Sequence, residues 1–288
     1  MAVKFFGQFL VEQGIVTSDA LLDAINLQDK NNLKFGEVAV AMGLVTAADI
    51  QRAHNAQMSK DMKLGDLLVE MGLMTLVQMN DVITRQKNTH LYIGEALVQI
   101  GVLTNESLLK HLDAFKTDQA QYVSNGIELP VASANNNIWE MTADLTYKMI
   151  TRVLDLQFRP GNCVLAATIP TGFMLAAMDI SGDVEARYII SVSESLQKTI
   201  ARAILSEESV DDEPAEVLED TVMEFVNVVC GNVAAKASQM GIIMNINPPV
   251  TLHLPLGGMP IPEGHRALSF PIHIEDGDKM ELILLIKD

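Results

Sequence analysis

Cysteine is almost missing from this 288-residue chain: Cys163 and Cys230 are the whole supply, too few for a disulfide framework. Bases are scarce too, with 20 Lys and Arg against 37 Asp and Glu, for a formal net charge of −17. That balance repels phosphate backbones and anionic lipid, so neither a nucleic-acid polymer nor a membrane surface is expected as partner. No apolar run approaches the ~18 residues needed to span a bilayer. Residues Met1 to Phe6 lack the apolar core of a secretory leader. There is no phosphate-binding P-loop. His54, His90, His111, His253, His265 and His273 fall at no metal-ligand spacing, so no bound metal or resident cofactor is expected. The expectation is a soluble, cytoplasmic protein whose length suits two domains.

What is present begins with a repeat. Gly7, Gly36, Gly65 and Gly94 lie 29 residues apart, as do Gly14, Gly43, Gly72 and Gly101, and Thr17, Thr46, Thr75 and Thr104. Gln28, Gln57 and Gln86 keep the same step, and Phe115 takes the fourth place. Each unit reads as two helices. Gly72 is placed to stop the first, and Thr75 with Gln78 forms a capping-box pattern at the start of the second. A lone helix pair buries little, so neighbouring units are expected to share a core.

This pattern, covering roughly residues 5–117, resembles the N-terminal domain of MshE-type secretion and pilus ATPases, whose tandem motifs bind cyclic di-GMP. The family motif opens with an Arg, whereas this chain has Phe5, Lys34, Lys63 and Tyr92 there. Arg can bond a guanine edge bidentately, and Lys supplies only a point charge. The resemblance therefore implies two candidate nucleotide-binding pairs, Lys34 with Gln57 and Lys63 with Gln86. Read from the residues alone, Gly, Thr and Gln are equally helix punctuation in a docking scaffold.

Residues 118–134 lose helical periodicity around Asn125-Gly126 and Pro130 and read as a linker. The charge divides unevenly, net −4 over residues 1–120 and −13 over residues 121–288. Beyond the linker the pattern predicts helices over Asn135–Leu154, Glu194–Leu205 and Pro214–Met240. It predicts strands over Cys163–Ile169, Phe173–Ile180, Glu185–Val192, Thr251–Leu254, Leu268–Glu275 and Glu281–Ile286. The expected fold class is thus an all-α repeat domain (1–117), then an α+β domain (135–288) with a mainly antiparallel sheet and two long helices.

The helix from Pro214 carries the chemistry. Nine carboxylates and no base lie between Glu207 and Glu224. At ~100° per residue, Leu218, Val222, Phe225, Val229 and Val233 fall on one face, while Asp220, Glu224, Asn227 and Gly231 form a stripe on the other. A carboxylate and a carboxamide therefore project together beside a small residue.

That stripe, with the order of the flanking elements, resembles the active-site helix of CheC/CheX-type chemotaxis phosphatases. Pro248 and Pro249 follow Asn227 after 20 and 21 residues, against about 22 in the family. The resemblance implies removal of phosphate from the phospho-aspartate of a CheY-like receiver, which brings its own Mg²⁺. Asn227 would hold the attacking water, Glu224 would pair with the receiver's lysine, and Asp220 would support the helix start. Phosphoryl transfer needs chiefly positioning and charge stabilisation, which suits these residue types. A single Glu-x-x-Asn site suits the CheX branch, whose members dimerise through their sheets. Two alternatives stay open, an ordinary solvated helix face and an adaptor that binds receivers without catalysis.

Overall fold

The computed structural model describes residues 4–120, 126–252, 258–275 and 277–287. No helix among them is long and apolar enough to cross a membrane. The chain divides into two compact units, Met1–Val123 and Ser124–Asp288.

The first unit is helical throughout: α1 Phe6–Glu12, α2 Ser18–Asn31, α3 Phe35–Ala41, α4 Ala47–Gln57, α5 Leu64–Glu70, α6 Leu76–Thr89, α7 Ile93–Gln99 and α8 Asn105–Gln119. The recurring residues explain the alternation of short and longer helices. Gly72 sits at φ +69, a left-handed conformation that costs other L-residues ~1–2 kcal/mol. There its N–H bonds the Val69 carbonyl at 3.0 Å and that of Leu73 bonds Leu68 at 2.9 Å, closing α5 with a Schellman motif. Three residues on, the Thr75 hydroxyl accepts the Gln78 N–H at 3.2 Å and the Gln78 side chain accepts the Thr75 N–H at 2.8 Å, a complete capping box. The first glycine of each unit has another use. A Cβ on Gly65 would meet Met79 of α6 and the ring of Phe35 at 3.0–3.1 Å, so its absence lets the helices approach.

The repeats share cores in two pairs. Phe6, Leu10 and Ala24 of unit one pack with Leu97, Leu108 and Phe115 of unit four. Val38, Ala39 and Ala53 of unit two pack with Leu68, Met74 and Val82 of unit three. Repeats two and three share a core as expected of neighbours, whereas repeats one and four pair with each other, which corrects that expectation for the outer two. Phe115 explains part of the outer pairing, because its ring lies 5.3 Å from Phe6 and 5.4 Å from Phe9.

Of the expected linker, residues 118 and 119 belong to α8, residues 126–134 form no helix or strand, and residues 121–125 lie outside the described residues. The second unit runs α9 Asn136–Val153, β1 Phe158–Pro160, β2 Val164–Ala166, β3 Thr168–Ile169, β4 Met174–Gly182, β5 Ala186–Val192, α10 Glu194–Leu205, α11 Ala215–Gln239, β6 Met244–Ile246, β7 Val250–Leu252, β8 Met259–Pro260, β9 His265–Ile274 and β10 Lys279–Lys287. An antiparallel sheet follows the order β1-β9-β10-β5-β4-β6, with β2 also on β9 and β7 also on β4. The single strand expected over Cys163–Ile169 is two: β2 stays on the sheet edge, and β3 leaves it to pair with β8. The strand expected over Thr251–Leu254 is present as β7 at Thr251 and Leu252, and its last two positions lie outside the described residues.

Alternation fixes the two faces of the sheet. Tyr188 points towards the helices, its hydroxyl 3.2 Å from that of Thr146 on α9. Its cross-strand partners Met178 and Leu284 share that face. Leu175, Ala177, Ile189, Ile283 and Leu285 form a smaller core on the other, together with Ile169. Helix α11 packs against α9, α10, β4, β6 and β7, so it is held on several sides and only a narrow strip of it meets solvent.

Candidate functional site

Along α11 the division of faces is sharp. Val222, Phe225, Val229 and Val233 are fully buried, while Asp220, Glu224 and Asn227 are exposed. The Asn227 amide nitrogen lies 3.4 Å from a Glu224 carboxylate oxygen. That contact leaves the Asn227 carbonyl oxygen available to a proton donor. Gly231, one turn on, would meet nothing within 4 Å if it carried a Cβ. A glycine within a helix costs ~1 kcal/mol relative to alanine, and here no neighbour demands it. The adjoining Asn232 has a structural task instead, since it is buried and donates to the Val228 carbonyl at 2.8 Å.

Facing the stripe is a wall that sequence reasoning saw only as two prolines. On the outer side of β4, β6 pairs Ile180 with Ile246, and β7 pairs Ala177 with Val250. Two residues of β4 therefore oppose the three residues Asn247, Pro248 and Pro249, a one-residue bulge. The Asn247 N–H still reaches the Asp179 carbonyl at 3.1 Å. The bulge and α11 enclose a groove of about 590 Å³ lined by Asp220, Met223, Glu224, Asn227, Ile246, Asn247, Pro248 and Pro249. The α11 side carries the two acids and the Asn227 amide with Met223 among them, and the bulge side is apolar apart from Asn247. No base lines it.

Residues 174–273 match the family model for the chemotaxis phosphatase CheX. That stretch holds Asp220, Glu224, Asn227 and Gly231 together with the bulge. No curated protein matches the chain. Similar solved structures include a chemotaxis protein CheX from Desulfovibrio desulfuricans, 15% identical with a TM-score of 0.45, covering 52% of this chain and 99% of that one. The CheX–CheY–BeF3–Mg complex from Borrelia burgdorferi is 22% identical, with a TM-score of 0.45, and covers 52% of this chain and 98% of the matched chain. A CheC-like protein from a Shewanella species is 16% identical, with a TM-score of 0.45 and coverage of 55% and 100%.

In the first unit the candidate residues are arranged otherwise than paired from the sequence. The Gln57 amide donates to the Met62 carbonyl at 3.0 Å, beside Lys63, and the Gln86 amide to the Leu33 carbonyl at 3.1 Å, beside Lys34. Gln57 thus belongs with Lys63 and Gln86 with Lys34, because the second helix of each repeat lies against the partner repeat. Gln28 repeats the pattern on Leu91 at 2.9 Å. Both lysines are exposed N-cap residues of short helices, while Gln57 is only 5% exposed.

Among the described residues no group of three or more His, Cys, Asp or Glu side chains could hold a metal ion. The thiols show no activation. Burial pushes Cys163 up to about 12, and it raises fully buried Cys230 as well.

Proposed function

We propose that the second unit removes phosphate from the phospho-aspartate of a CheY-like receiver. The observation that carries this is the stripe of exposed Asp220, Glu224 and Asn227 with partly exposed Gly231, which stands on a helix packed on several sides and has no task in holding the fold. The family-model match across 174–273 supports it. The CheX protein of the Borrelia burgdorferi complex was solved with CheY, a partner of the kind this reading needs.

The chemistry is simple to balance. Water attacks the phosphorus in line, the bond between phosphorus and the aspartyl oxygen breaks, and the products are orthophosphate and a free carboxylate. The receiver's own Mg²⁺ neutralises charge on the phosphoryl oxygens. The Asn227 carbonyl oxygen would accept a hydrogen from that water and hold it in attack geometry, a positioning effect worth several kcal/mol. Glu224 would meet the receiver's lysine, and the absence of side-chain bulk at Gly231 would admit the receiver backbone. The test is phosphate release from acetyl-phosphate-loaded receiver. Release by wild type and its loss in Asn227→Ala are expected. Equal rates remove the catalytic assignment, and binding of loaded receiver without release leaves the adaptor reading.

For the first unit we propose a docking role. Its supporting observation is that the Gln57 and Gln86 amides are already spent on main-chain carbonyls between paired repeats. Nucleotide binding predicts the opposite, calorimetric heat with cyclic di-GMP that disappears in Lys34→Ala and Lys63→Ala. Such heat would replace docking by second-messenger sensing.

A further inference from the structure

We propose that Met223 and the Asn247–Pro249 bulge form the specificity wall of this site, seating an apolar side chain that the receiver presents next to its cation. The proposal rests on the receiver-binding reading and names what selects among receivers. Three observations carry it.

The first is composition. The groove opposes Asp220 and Glu224 with Ile246, Pro248 and Pro249, Asn247 being the one polar residue on that side, and half-buried Met223 lies on α11 between Asp220 and Glu224. Two carboxylates without a base attract a cation, and apolar walls beside them favour one that is flanked by an apolar group. The second is the bulge itself. It adds one residue to a strand that pairs with β4 on either side of it. Its two prolines have no N–H, so this stretch of edge cannot accept another strand and offers side-chain surface instead. The third is anchoring. The Thr251 hydroxyl of β7 lies 3.7 Å from the Met223 sulfur, tying α11 to the strand beyond the bulge. A methionine so held keeps its position while its terminal methyl adapts to the guest.

Asn227 does the chemistry in this scheme, and the wall only sorts partners. Met223 is a positioning residue for the bound receiver. The prediction is a split: substitution changes the affinity of the encounter and leaves turnover of bound receiver alone. A lost apolar contact of this size in a pocket is worth about 10-fold or more in discrimination.

The experiment uses the full chain and a panel of CheY-like receivers activated with beryllofluoride and Mg²⁺. Binding is read by calorimetry, and phosphate release from the phosphorylated receivers is read in parallel. Met223→Gln should weaken binding and raise KM about 10-fold for preferred receivers, flatten the ranking across the panel and keep kcat within about twofold. Met223→Leu should restore affinity. Deleting Pro248 removes the extra residue and should flatten the ranking further, with circular dichroism checking that the fold survives. Unchanged affinity in Met223→Gln, or a fall in kcat at constant KM, overturns the wall and leaves the phosphatase reading intact. Failure of wild type to bind any activated receiver overturns both.

Discussion

In the first unit, the recurring glycines, threonines and glutamines are engaged by the fold: Gly72 turns the chain, Thr75 caps α6, and Gln57 and Gln86 bind carbonyls of the paired repeat. In the second, Asp220, Glu224, Asn227 and Gly231 line one stripe of α11 and are asked for nothing by their own molecule except the long contact between Asn227 and Glu224. A motif repeated four times looks the more functional of the two on paper, yet folding uses its residues. The stripe occurs once, and folding leaves it exposed. Residue types that recur at helix ends are explained by helix ends. Polar residues in the middle of a packed helix are not, and that difference is the better pointer to chemistry.

The contrast can be broken most severely at Asn227. Asn227→Ala should lower phosphate release at least ~100-fold while the unfolding midpoint of the second unit stays put, since the side chain is exposed and supports nothing. A comparable drop in stability would return Asn227 to the scaffold. Next in size is Gly231→Leu, which should separate the two properties. It should raise helix stability by ~0.5–1 kcal/mol in denaturant titration, and a side chain pointing into the docking space should cost about tenfold in receiver affinity.

The mirror experiment belongs to the first unit. Gly72→Ala should destabilise it by ~1–2 kcal/mol, because alanine must adopt φ near +69. Receiver phosphate release should be untouched. The smallest effect is electrostatic. Arg187 grips Asp179 through two hydrogen bonds of 2.6 and 2.8 Å and holds its carboxyl below the usual range of about 3.8. The stabilisation is complete above the unfolded value and fades as pH falls through the lowered folded one. Asp179→Asn should therefore flatten the acid limb of a stability–pH curve below about pH 4 by slightly lowering the neutral plateau, a small loss because the pair is partly exposed.

Much of this was legible beforehand for reasons that can be named. The apolar period of Leu218, Val222, Phe225, Val229 and Val233 defined the buried side of α11 and therefore the exposed one. Thr75 and Gln78 announced a helix start through local bonds that need no distant partner. Strands of seven or more residues built on a run of β-branched and other apolar residues, such as β5 and β10, could be read directly. β1, β6 and β8 could not, because two or three residues carry no period and exist only through the strand they pair with. Met223 gave no signal either, since a methionine on a helix is ordinary until something stands opposite it.

By itself, the sequence determined the helical repeats, the antiparallel class of the second unit and the candidate stripe, all of which follow from local sterics and hydrophobic period. Only the tertiary structure decided that repeats one and four, and repeats two and three, pair around common cores, and the second pairing sets Gln86 beside Lys34. It alone decided that a one-residue bulge sets Pro248 and Pro249 across from Asn227. Both depend on contacts between residues far apart in the chain, where packing free energy chooses among partners that local preference cannot distinguish.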